Sequence, residues 1–269
     1  MRQGYFLQLD IDEFRETMEN HCKPIKHLMF ERLSGSKIID DILDHYCEDG
    51  YSDILDANKL NDAWFPEIRC DAFISYSHLD VDEAEELSRV FYKYFGLNVF
   101  VDSFFWNSCD ELQRLIDDKY SFCDEDEAFY DYRKVQYSAS HVHLLLIGQL
   151  LRVIENCDCF FLLGTPNSLI NENGKIQSSS PWIYFETLLY DRLMHTRITK
   201  TAGLGSINES VQLKIRYPIT KSKMKNLNIN DLVKLNQMLC KNCNVSALNL
   251  LYDRVFRPFK LIKNNDFYQ

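Results

Sequence analysis

The stretch DAFISYSHLDVDEAEELSRVFYKYFGLNVFVDS, residues 71 to 103, decides the fold class of this chain. It opens on a short, largely apolar run over residues 71 to 77, the pattern of a strand covered on both faces. Asp80, followed three residues later by Glu83, resembles a helix start signal. Ala84, Leu87, Phe91 and Tyr94 then recur at helical spacing, so the helix has one apolar face. A second apolar run, residues 97 to 103, completes a strand, helix, strand unit, and that alternation predicts a parallel α/β sheet.

Toward the C-terminus the pattern is first interrupted. A helix over residues 108 to 120, an acidic stretch CDEDE (123 to 127) and the aromatic-rich FYDYRKVQY (129 to 137) do not fit a minimal doubly wound domain, and residues 107 to 140 are read as an insertion. The alternation resumes with a helix over 142 to 156, a strand CFFLLGT (159 to 165), a polar loop ending in three serines (178 to 180) and a helix opening at Pro181, a residue favoured in the first helical turn. Residues 211 to 219 are the last clear strand candidate. Helices over 230 to 239 and 246 to 255 close the chain. Toward the N-terminus, residues 1 to 68 read as short helices at 11 to 20, 36 to 48 and 56 to 64, with Ile38, Ile42 and Tyr46 at helical spacing. They are expected to form a helical extension packed on a main domain spanning 69 to 269.

Composition narrows the function classes. Forty acidic against thirty basic residues give a formal charge of -10, which disfavours a surface built to track phosphate backbones, so nucleic acid is not an expected partner. Nine scattered cysteines and an N-terminus without a long apolar run point to the cytoplasm, and no stretch is long enough for a membrane span. Cys240 and Cys243 have metal or redox spacing but no second pair, so no metal is expected. With nine glycines there is neither a G-x-G-x-x-G nor a Walker A sequence, which removes the usual dehydrogenase and NTPase readings.

Trp182 and Glu186 stand four apart and share a helical face with Leu189, Tyr190 and Leu193. A carboxylate on an apolar stripe is costly to bury without a partner. Either the first turns of this helix border a cleft in which Glu186 meets a ligand, or Glu186 is an ordinary solvated residue; the stripe alone leaves the two readings even. Doubly wound sheets bind ligands beyond the carboxyl ends of their strands. Here those ends are residues 75 to 78, 102 to 106 and 165 onward. Tyr76, Phe105 and Trp106 are either stacking surfaces or packing, while Phe104 reads as core. Asp102 suits a ribose hydroxyl or a cap, and His78 lies near a helix start where anions are favoured.

DAFISYSHLD (71 to 80), VFVDSFFW (99 to 106), CDCFFLLGTPNS (157 to 168) and SPWIYFE (180 to 186), in that order, resemble the Toll/interleukin-1 receptor (TIR) domain family. The resemblance implies a flavodoxin-like parallel sheet with helices on both faces. It also implies an enzyme that breaks the nicotinamide-ribose bond of NAD⁺, which is substrate and not cofactor. Glu186 would be the catalytic carboxylate, with Ser75, Tyr76, Ser77, His78, Asp102, Phe105, Trp106 and Trp182 around the NAD⁺. SASHVHLLL (138 to 146) and TPNSL (165 to 169) look like stand-alone bacterial TIR proteins, in particular the signalling NADases of Thoeris-type anti-phage systems.

That resemblance implies a cyclic or conjugated ADP-ribose signal read by a separate effector protein, with self-association and a phage-derived activator as further expected partners. The segment from 129 to 137, with Arg133 and Lys134, is the expected contact across a subunit boundary. Two other readings stand beside it: a non-catalytic TIR module working by homotypic assembly, and an N-glycosidase acting on another nucleotide. Glu186 separates a scaffold from an enzyme, because a scaffold has no use for a carboxylate in a cleft.

Overall fold

The apolar run ahead of the first helix is a strand. In the computed structural model, which describes residues 3–26, 43–49, 54–123, 129–172, 174–194, 216–219, 224–241 and 245–252, β1 (Gln3–Leu7) leads into α1 (Ile11–His21), started by Asp10, whose side chain accepts from the Glu13 N–H. After a 3₁₀ turn at Leu43–Tyr46 comes α2 (Ala57–Trp64), capped in the same way by Asp56. Then β2 (Ala72–Ser75), α3 (Val81–Phe95) and β3 (Val99–Phe100) form the unit expected from residues 71 to 103. Gly96, at φ +65°, ends α3 in the left-handed conformation that glycine adopts without strain.

The chain continues through α4 (Asp102–Phe105), α5 (Cys109–Tyr120), the 25-residue α6 (Tyr132–Asn156) and β4 (Cys159–Leu163). A hairpin of β5 (Ile170–Glu172) and β6 (Lys175–Ser178) precedes α7 (Pro181–Met194). Then follow β7 (Tyr217–Pro218), β8 (Lys225–Leu227), α8 (Ile229–Lys241) and α9 (Ala247–Tyr252).

The main sheet has five parallel strands in the order β3-β2-β4-β1-β8. β2 is internal, paired Ala72 to Val99 on one side and Ala72 to Cys159 on the other. Successive residues of β4 point to opposite faces and meet different helices. Phe161 stacks on Phe91 of α3 at 4.9 Å, and Phe160 stacks on Tyr190 of α7 at 4.8 Å. Phe100, Phe73 and Phe160 form a stacked row across three strands, with centroids 5.6 and 5.7 Å apart. The sheet is thus covered by helices on both faces, as in a flavodoxin-like architecture.

Several expectations are corrected. Residues 1 to 68 are not a purely helical layer, because β1 lies inside the sheet, paired with β4 from Gln3–Cys159 to Leu7–Leu163. Counted from β2, the strands would follow the flavodoxin order 2-1-3-4-5 if β1 is taken as the fourth. The expected strand over 211 to 219 does not supply that fourth place. Its described part, Tyr217–Pro218, pairs antiparallel with β6 in a separate three-stranded sheet, and residues 211 to 215 lie outside the described residues. The strand expected over 97 to 103 stops at Phe100, since residues 102 to 105 are helical.

Two further expectations change inside and after the insertion. The aromatic segment is the start of α6, begun by Asp131, whose carboxylate accepts from the Arg133 and Lys134 N–H groups. The polar loop before Pro181 holds the β5-β6 hairpin. The proposed helix at 36 to 48, with Ile38 and Ile42, lies outside the described residues up to 42; so do the acidic stretch from 124, Cys243 and residues 253 to 255.

Because β1 is an inner strand, its smallest residue carries a packing role. A Cβ on Gly4 would stand 2.3 Å from Cζ and Oη of Tyr190, itself buried at 2% exposure. Gly4→Ala must therefore displace the ring that covers Phe160. The expected cost is about 1 to 3 kcal/mol, read as a lower urea midpoint at unchanged slope. A midpoint equal to the parent's would mean that β1 does not sit under α7.

Candidate active site

The candidate site is assembled at the carboxyl end of β2. Ser75, the last residue of that strand, is fully buried, and its hydroxyl donates to Oε2 of Glu186 at 2.6 Å. Glu186 reaches it from the second turn of α7. That helix is aimed by the serine tract before it: the Ser180 hydroxyl accepts from the Ile183 N–H at 3.3 Å, as an N-cap does. Ser178 accepts from the Ser180 N–H and donates to the Ser168 carbonyl at 2.8 Å.

Glu186 is only partly exposed, and burial pushes its carboxyl from the ordinary 4.5 up to about 8. The negative charge of Asp102 adds to the rise, and the Ser75 hydrogen bond opposes it. At neutral pH the protein by itself therefore holds this carboxyl mostly protonated, against Ser75.

Tyr76 continues the site. Its hydroxyl donates to Asp102, at the first residue of α4, and burial together with that carboxylate raises the phenol well above its usual range. Asp102 is exposed and also accepts from the Ser103 N–H at 2.8 Å, but it is the first residue of α4 and does not cap that helix, whose N-cap is Val101. Ser77 accepts from the Leu79 N–H, and its own N–H donates to the Ser168 hydroxyl at 3.0 Å. His78 is exposed at the start of a 3₁₀ turn. Trp182 is partly buried, one turn ahead of Glu186, its ring 6.0 Å from that of His143 on α6.

Phe105 and Trp106 do not join this edge. Both are buried at 6%: Phe105 stacks on Phe100 at 5.4 Å, and Trp106 meets Phe100 and Phe65 edge-on while its indole N–H donates to the Pro66 carbonyl at 3.1 Å. They are core, because the short helix after β3 turns them under the sheet instead of outward. Lys134 likewise does not face the site, since its ammonium donates to the Phe122 carbonyl at 3.0 Å.

Asp80 plays a role that its spacing to Glu83 does not reveal. It occupies the N-cap position of α3 but makes no side-chain cap. Its carboxylate, 2% exposed, instead accepts from the Thr165 hydroxyl, the Asn167 amide at 2.7 Å and the Ser168 hydroxyl at 3.0 Å. These bonds tie the loop after β4 to the loop after β2, directly beside Ser75. The visible signal was the TPNS stretch, which sets three side-chain donors within four residues after a strand.

A groove of about 560 Å³ opens at the opposite, amino end of β2, lined by Lys23, Asp71, Phe95, Gly96 and Leu239 among others, and shares no residue with this edge. No helix among the described residues is long and apolar enough to cross a membrane.

Compared with known families, curated proteins and solved structures, the chain finds no match in any of the three. The residues at this edge therefore carry the functional reading by themselves.

Proposed function

We propose that this chain is a TIR-like NAD⁺-cleaving enzyme with Glu186 as its catalytic carboxylate. The observation that supports this most is the desolvated carboxyl of Glu186, held against Ser75 at the carboxyl end of an inner parallel strand. A surface glutamate would not be so held, and a scaffold would gain nothing from the cost.

In this reading the C1′–N bond of the nicotinamide ribose breaks, and its electron pair leaves with neutral nicotinamide. The positive charge that develops on the sugar is stabilised by the Glu186 carboxylate, whose low-dielectric surroundings strengthen that attraction over what water would allow. Binding a cationic pyridinium favours the charged form, so the proton on Glu186 departs as NAD⁺ enters. In this reading Asp102 would accept from a ribose hydroxyl and Tyr76 would offer its ring for stacking. Water capture of the sugar gives ADP-ribose, and capture by another nucleophile gives a cyclic or conjugated product, the signal that a separate effector would read.

Mass spectrometry of pure protein with NAD⁺ tests the reading directly: nicotinamide appears together with one of these products. If NAD⁺ is untouched at every protein concentration while another nucleotide loses its base, the substrate assignment fails.

The pH profile is a second test. Because the ionised carboxyl is required, kcat/KM should climb with pH and level off above an inflection near 8, the value of the free enzyme. Asp102→Asn removes the neighbouring negative charge and should move that inflection to lower pH. An inflection unchanged by Asp102→Asn would separate Asp102 from Glu186.

A further inference from the structure

The outer face of α6 is organised around Leu144 in a pattern that nothing among the described residues explains. Tyr137 and Leu151 stand seven residues before and after it, and Arg133 and Glu155 stand eleven before and after. Seven and eleven residues are close to two and three whole turns, so all five lie on one stripe of a continuous helix. The stripe faces outward: Leu144 is 61% exposed, Tyr137 70% and Leu151 36%, and Arg133 and Glu155 are exposed as well. Apolar side chains of this size in a row on an exposed helix mark an interaction surface.

The stripe is also matched to its own reverse. Laid antiparallel on a second α6 with a two-fold axis through Leu144, each residue meets the one equally far on the other side. Leu144 meets Leu144, and Tyr137 meets Leu151. Small Ser140 meets Gly148, and the cation of Arg133 meets the anion of Glu155 at both ends. A two-fold interface demands this self-complementarity.

Gly148 adds an independent observation. A helix-interior glycine costs roughly 1 kcal/mol relative to alanine, yet a Cβ there would touch nothing within 4 Å, so packing among the described residues does not require it. Close approach of a second helix backbone would. Tyr137 is also braced, its ring 4.5 Å from that of His141 on the same face.

We propose that α6 is a homodimerisation surface, pairing antiparallel with α6 of a second copy about Leu144. This holds whether or not the chain cleaves NAD⁺. One helix pair lies at the small end of stable interfaces, so dissociation is expected in the micromolar range.

Sedimentation velocity of the full chain across that range should show a concentration-dependent dimer. Leu144→Glu, which sets two like charges on the axis, should leave a monomer with an unchanged thermal melt. Arg133→Glu alone should weaken the dimer at least tenfold, and combining it with Glu155→Arg should restore it, because the double swap re-forms both pairs in reverse. A monomer throughout overturns the proposal, as does a dimer indifferent to Leu144→Glu. A double variant no tighter than Arg133→Glu overturns the antiparallel register.

Discussion

Glu186→Gln is expected to lower NAD⁺ cleavage by at least a hundredfold and, at the same time, to make the protein more stable at neutral pH. The activity loss follows from removing the charge while keeping the shape: an amide can still accept the Ser75 hydrogen bond but cannot balance a cationic sugar, and electrostatic groups of this kind contribute about 10² to 10³ in rate. The gain in stability follows from proton linkage. In the folded chain the carboxyl titrates near 8, and its ordinary value is 4.5. Below 4.5 it is neutral in both states and costs nothing extra. Between 4.5 and 8 the unfolded chain releases a proton that the folded chain keeps, so stability falls as pH rises and levels off above 8.

At pH 7 that linkage amounts to roughly 3 kcal/mol, which Gln avoids. Thermal melts of both proteins should therefore coincide near pH 4.5 and separate by several degrees near pH 8, with the variant higher. A variant that melts at or below the parent at pH 8 would contradict the desolvated carboxyl. One that turns over NAD⁺ at the parent's rate would remove Glu186 from the chemistry.

Asp80→Ala should be the most damaging single change to the fold around the site. It strips a buried carboxylate from the Thr165 hydroxyl, the Asn167 amide and the Ser168 hydroxyl, of which the Ser168 hydroxyl is itself buried while water can replace part of what the other two lose. Each unsatisfied buried group costs about 1 to 3 kcal/mol, and hydrogen bonds to a charged acceptor lie at the upper end. A total of about 2 to 4 kcal/mol is expected, a large share of the 5 to 15 kcal/mol typical of a domain. Asp80→Asn keeps one acceptor oxygen and should fall between. Urea unfolding with Asp80→Ala within 1 kcal/mol of the parent would show that these bonds do not hold the two loops together.

The helices expected at 11 to 20, 56 to 64 and 108 to 120 are found within about a residue of those bounds, because each carries its own periodic apolar face. The structure adds that Asp10, Asp56 and Ser108 accept backbone N–H groups at the starts of these helices. β2, β4 and the start of Glu186's helix at Pro181 were legible for a related reason: a short apolar run between turns, or an acid on an apolar face, is visible within a short window of sequence. β1 was not, although Gly4, Tyr5, Phe6 and Leu7 are as apolar as β4. Nothing local shows that this run inserts beside β4, more than 150 positions away, and a buried strand with no alternation looks like any other apolar segment.

The same distinction runs through the site. By itself the sequence determined an α/β chain in which Glu186 lies on an apolar helical face near the ends of two strands, because periodicity and spacing are properties of single elements. Only the tertiary structure decided that Ser75 is the residue Glu186 meets, that Phe105 and Trp106 turn inward onto Phe100, and that Asp80 binds the loop after β4 instead of capping its own helix. The Ser75 and Asp80 pairings depend on which donor lies opposite which acceptor across 85 to 111 positions of chain, and the Glu186 carboxyl is raised to about 8 by its burial there. Desolvation is a property of the surroundings of a side chain, and no spacing within its own helix encodes it.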